Sequence, residues 1–143
     1  MSKIDIYKIP THEAGHYWGA MRDFLESALV KFNMGEKYPL DCVLRDLITG
    51  DAQGWIIIQD DIAVSAAVTE LQEYPTGRAV NIFLMGGHDM KSWGAELTET
   101  LRLYAVEVGA KWVEAGTRDA IGKDYLLPAG YRKLQSSYSY EVH

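Results

Sequence analysis

The spacing of apolar residues changes in a definite order along the chain, and that order predicts its elements. Ile4 and Ile6 alternate with polar neighbours, so Lys3 to Ile9 reads as a short strand ended at Pro10. Ala14, Trp18, Met21, Leu25, Ala28, Leu29 and Phe32 then recur at helical spacing, which predicts a helix over Thr11 to Phe32. A loop over Asn33 to Pro39 leads to a shorter helix, Leu40 to Ile48, with Val43, Leu44 and Leu47 facing inward. Trp55 to Gln59 and Ile62 to Leu71 are β-rich runs on either side of Asp60-Asp61, the pattern of a hairpin. Tyr74-Pro75-Thr76-Gly77 is a turn by composition.

The stretch from Arg78 to Gly116 is patterned most strongly. Ala79 to Met85 is a nearly unbroken apolar run, as a strand buried on both faces requires. Gly86-Gly87 is expected to end it, and Asp89 stands where a side-chain oxygen caps the next helix. Trp93, Leu97, Leu101, Tyr104 and Val108 mark one face of that helix, and Gly109 is placed to stop it in the left-handed conformation. Lys111 to Gly116 reads as a further strand. Two strands joined through so long a helix are most simply parallel. Such a unit aims a glycine turn and a helix N-terminus at one point, where backbone N–H groups can hold an anion. Asp119 to Leu127 then reads as a short helix closed by Pro128 and Gly130, and Tyr131 to Val142 as one or two strands. The predicted class is α/β (α+β): a mixed, mostly antiparallel sheet with one parallel pair around a central helix, and helices on both faces.

Composition narrows the partners. At 143 residues the chain is expected to form one domain, 1–143. A net charge of −6 argues against a broad nucleic-acid footprint. No run approaches the roughly 18–20 apolar residues of a membrane span, and MSKIDIYKIP has no apolar signal core. The single cysteine, Cys42, has no partner for an internal disulfide and reads as a buried, inert thiol. The expected home is the cytoplasm, or a virion assembled there.

The order strand, helix, helix, three antiparallel strands, helix, strand, helix, strand resembles the GCN5-related N-acetyltransferase (GNAT) superfamily over essentially the whole chain. Tyr125-Leu126-Leu127-Pro128-Ala129-Gly130-Tyr131 is similar to its tyrosine-x-x-x-glycine-aromatic closing motif. The glycine pair followed six residues later by Trp93 looks most like small GNAT-like proteins of tailed phages and prophages. The resemblance implies acetyl-CoA as cosubstrate, its pyrophosphate held by Met85, Gly86, Gly87, Lys91 and Ser92. The loop departs from the superfamily pattern. It reads HDMKSWGA, with only Gly94 and Ala95 matching the end of the motif and no arginine or glutamine before them.

Acyl transfer to an amine needs a base for the amine and an acid for the departing thiolate. Glu70, after the period-two run Ile62, Val64, Ala66 and Val68, and Glu114, between Val113 and Ala115, are the candidate bases. Tyr125 is the candidate acid. His12-Glu13-Ala14-Gly15-His16 is a literal H-E-x-x-H, the spacing of a zinc site. No third ligand stands in recognisable context, and no metal is expected. His88 reads as a loop histidine, and Trp18, Trp55, Trp93 and Trp112 as core residues. The tail tyrosines leave room for a homo-oligomer contact. Two readings follow: an N-acetyltransferase acting on a small-molecule or protein amine, or a catalytically degenerate phage particle or assembly component that binds phage structural proteins.

Overall fold

The protein, studied as a computed structural model, is described over residues 3–31, 39–115 and 131. Five strands lie side by side in chain order: β1 (Ile4–Ile9), β2 (Gln53–Gln59), β3 (Ile62–Tyr74), β4 (Gly77–Gly87) and β5 (Trp112–Ala115). The first four are antiparallel, and β4 and β5 are parallel, with Ile82 opposite Ala115 as the last pair. The sheet is the mixed, mostly antiparallel one that the apolar pattern predicts.

Two helices cover one face. α1 (Ala14–Lys31) follows a short 3-10 turn over Thr11–Glu13, so the first turn of the expected helix is wound more tightly. α2 (Leu40–Thr49) turns Val43 and Leu47 inward, and Cys42 is half-buried. Met21, Leu25, Ala28 and Leu29 pack with these against Ile56, Ala66, Val68 and Leu84 of the sheet. α3 (Met90–Glu107) covers the other face. Its Trp93, Leu97 and Leu101 meet Trp55, Ile57, Ala67 and Ile82. The innermost α3 stripe ends on Ala105, buried, instead of on Tyr104 and Val108, which are half-buried. Gly109 takes φ 72, as expected. Ala110 N donates to Ala105 O at 2.7 Å and Gly109 N to Val106 O at 3.2 Å, the paired bonds of a Schellman stop.

The strand boundary at the glycine pair differs from expectation. β4 continues through Gly86 and Gly87, which pair with Ala66 and Ser65. Their lack of side chains serves close packing. A Cβ on Gly86 would lie 2.0 Å from the Phe24 carbonyl oxygen of α1, and one on Gly87 2.3 Å from the Val64 carbonyl oxygen. A register shift between Val68 and Thr69 leaves Phe83 of β4 as the extra residue of a bulge. Trp112 also departs from the core reading: it is 39% exposed, edge-on to Tyr74. The predicted elements beyond Ala115 lie outside the described residues. Among the described residues no helix is long and apolar enough to cross a membrane.

Candidate functional site

Beyond its described pairing with β5, β4 leads to the start of α3. Pairing with β5 ends, among the described residues, at Ile82↔Ala115, whereas β4 runs five residues further to Gly87. His88 N donates to Val64 O at 2.8 Å. By the alternation of an antiparallel ladder, the Met85 and Gly87 backbone groups therefore turn to the β5 side. The Met85 side chain packs in the α3 core, so this candidate offers a ligand only its backbone.

The turn from β4 into α3 is not built as the sequence predicts. Asp89 occupies the N-cap position, but its side chain caps nothing, and its backbone is left-handed at φ 58, ψ 37. Its carbonyl accepts the Ser92 N–H at 2.7 Å. The left-handed turn explains the missing cap, because N-cap side chains reach forward from an extended backbone. Lys91 and Ser92 are exposed at the mouth. The donors offered there are the α3 amides of Met90 and Lys91, which precede the bonded Ser92 amide, the Ser92 hydroxyl and the Lys91 ammonium, with the Asp89 carboxylate opposing. By charge and by donor type this set fits an anion.

Where β4 pairs with both β3 and β5, register brings the two candidate bases into one row. Glu70 of β3 lies opposite Asn81 of β4, and Asn81 opposite Glu114 of β5. Both glutamates are half-buried and are about 9.6 Å apart across two inter-strand spacings. The Tyr74 hydroxyl donates to Glu114 Oε2 at 3.0 Å, and that bond raises the Tyr74 pKa. Sequence reasoning missed Asn81 and Tyr74. Asn81 had a signal, since it is the one polar interruption in an apolar strand. Tyr74 had none, because its reach to Glu114 spans 40 residues of sequence.

Tyr125 lies outside the described residues. Tyr131, assigned from sequence to the closing strand, is half-buried against α3, its hydroxyl 3.4 Å from Thr98 Oγ1. Burial raises its pKa, with the Thr98 contact acting weakly the other way. His88 is exposed, with its ring edge-on to Phe24.

The H-E-x-x-H segment is divided between the 3-10 turn, which holds His12 and Glu13, and α1, which holds His16. Glu13 accepts the Tyr7 hydroxyl at 2.7 Å, and His16 packs edge-on against Tyr17. Among the described residues no group of three His, Cys, Asp or Glu could hold a metal ion. A cleft of 270 Å³ lies elsewhere, between β1, β2 and the second half of α3, lined by Ile6, Lys8, Trp55 and Tyr104 among others. It contains none of the sequence-predicted site residues.

No protein-family model matches the chain, and no curated protein matches it in sequence. Solved structures do match it in shape. An aminoglycoside N-acetyltransferase, AAC(6')-Iy in complex with CoA, superposes with a TM-score of 0.69 at 15% identity, covering 99% of this chain and 96% of its own. An aminoglycoside acetyltransferase from an uncultured soil metagenomic sample, in complex with sisomicin, gives 0.69 at 11% identity, covering 98% and 96%. A GCN5-related N-acetyltransferase from Ralstonia eutropha gives 0.69 at 13% identity, covering 97% and 99%. At such identities the likeness is one of fold: the chain has the GNAT fold.

Proposed function

We propose that the chain is an acetyl-CoA-dependent N-acetyltransferase. The observation that carries this reading is the backbone of β4 beyond Ile82, turned away from β3 at Met85 and Gly87 and leading to the mouth of α3, in a chain of GNAT fold. Acetyl-CoA, when bound, supplies an acetyl thioester. Lys91, Ser92 and the first α3 amides would hold its pyrophosphate. The outward backbone groups of Met85 and Gly87 would meet the amides of its pantetheine arm. A rise of about 3.3 Å per residue separates Gly87 from Ile82 by about 17 Å. An extended arm anchored at the mouth would therefore run toward the row of Glu70, Asn81 and Glu114.

There, Glu70 or Glu114 accepts the proton that the attacking amine loses as the C–N bond forms and the C–S bond breaks. A tyrosine phenol returns a proton to the departing thiolate. Tyr125 is the candidate from sequence. Tyr131, half-buried against α3, is a second one. A small-molecule amine is the preferred acceptor over a protein amine, given the sisomicin-bound structural neighbour.

A second reading keeps the fold and drops the chemistry, with the chain as a phage particle or assembly component. Two observations favour it: both glycines are accounted for by packing, and Asp89 sets a carboxylate at the mouth. A thermal shift with acetyl-CoA separates the two. Ligand at one hundred times its dissociation constant stabilises the fold by about 2.7 kcal/mol, and CoA thiol is then released when a competent amine is added. Absence of any shift at millimolar acetyl-CoA would sink the enzyme reading.

A further inference from the structure

The turn between β4 and α3 is held from three sides at a single residue. The His88 amide donates to Val64 of β3 at 2.8 Å, and its ring lies against Phe24 of α1, centroids 5.9 Å apart. The His88 carbonyl accepts the indole N–H of Trp93 at 2.6 Å. The next residue, Asp89, is one of only three non-glycine residues at positive φ among those described. A non-glycine left-handed residue persists where its surroundings over-determine it, and such places cluster at ligand clamps.

Trp93 is the fourth residue of α3 and is 2% exposed. Side chains on a helix lean toward its N-terminus, which carries this indole back over the preceding turn. That pair of positions, one residue before the N-cap and four after it, is where a hydrophobic staple commonly sets the entry angle of the chain. Here the pair is a hydrogen bond. Phenylalanine would keep an aromatic ring in the core, though a smaller one, but it would not hold the His88 carbonyl.

We propose that Trp93 is a positioning residue of the coenzyme site: by holding the His88 carbonyl it keeps Asp89 left-handed and the first α3 amides aimed at the pyrophosphate. The inference rests on the acetyl-CoA reading above. It assigns the loop's shape to an indole hydrogen bond from within α3.

The test is calorimetric titration of wild type and Trp93→Phe with CoA and with pantetheine, which lacks the pyrophosphate. Trp93→Phe should weaken CoA binding about three- to tenfold, the range expected for one lost hydrogen bond, and leave pantetheine binding unchanged. Equal CoA affinity in the two proteins, or the same loss for both ligands, would overturn the inference and leave Trp93 a packing residue. A wild type that binds no CoA would instead overturn the acetyl-CoA reading, and this inference with it. Should the variant fold poorly, the wild type suffices. Its Trp93 indole N–H resonance should be protected from exchange and should shift with CoA but not with pantetheine. An unprotected or unresponsive indole would refute the proposal.

Discussion

Single atoms decide the most informative positions. Gly86 is a glycine because the Phe24 carbonyl of α1 occupies the space of a side chain. Gly86→Ala should therefore destabilise the fold by about 1–3 kcal/mol, as overpacking does; a urea-denaturation loss below about 0.5 kcal/mol would mean that α1 does not sit there. Gly94 gives the contrast. A Cβ there would meet only Met90 Cγ at 3.7 Å, so Gly94→Ala in mid-helix should stabilise by about 0.5–1 kcal/mol in the same assay. Tyr7 carries a pH signature. Its hydrogen bond to Glu13 pushes its pKa from 10.0 up to about 12, with desolvation and the Glu13 charge adding to the effect. The folded state thus holds the phenolic proton more tightly than the unfolded chain. The stability this contributes is complete below the ordinary tyrosine range and is lost as pH rises through about 12. A difference titration of phenolate absorbance, wild type minus Tyr7→Phe, should show that late proton, and Glu13→Gln should bring it back toward the ordinary value.

Elements formed where local chemistry and the apolar pattern agree. Asp60 and Asp61 both take positive φ, 50° and 65°, as a two-residue type I′ hairpin turn requires. Lys3 locks that turn, its amide donating to Asp60 Oδ1 at 2.8 Å and its carbonyl accepting the Asp60 amide at 2.9 Å. α3 is the element on which the second core rests. Leu101 is fully buried between Trp93, Leu97 and the sheet. Leu101→Ala should cost about 2–5 kcal/mol; a loss under about 0.5 kcal/mol by chemical denaturation would mean that another face of α3 is buried. Arg78 ties the far end of the helix to the sheet, donating from Nη1 to Val108 O at 2.9 Å.

For the whole molecule, β4 connects two charge environments, a mouth with Lys91 and Asp89 and a row with Glu70 and Glu114. If the mouth holds pyrophosphate, Asp89→Asn should tighten acetyl-CoA binding and Lys91→Ala should weaken it, both effects shrinking as salt rises. Calorimetry at two ionic strengths checks this, and a salt-independent difference would place the ligand elsewhere. The sequence by itself determined the order and type of the described elements, the hairpin at Asp60-Asp61 and the helical stop at Gly109. Those features depend on local backbone preference and on the period of burial, and both are written in neighbouring residues. Only the tertiary structure decided why Gly86 and Gly87 lack side chains, since the atoms they avoid belong to α1 and β3. Likewise, only register across three strands set Glu70, Asn81 and Glu114 in line. Asp89 shows the same division: its residue type marked a helix start, but the hold on His88 from Val64 and Trp93 accompanies a backbone in which its side chain caps nothing. Contacts between residues far apart in the chain leave no period to read, so folding alone brings them together.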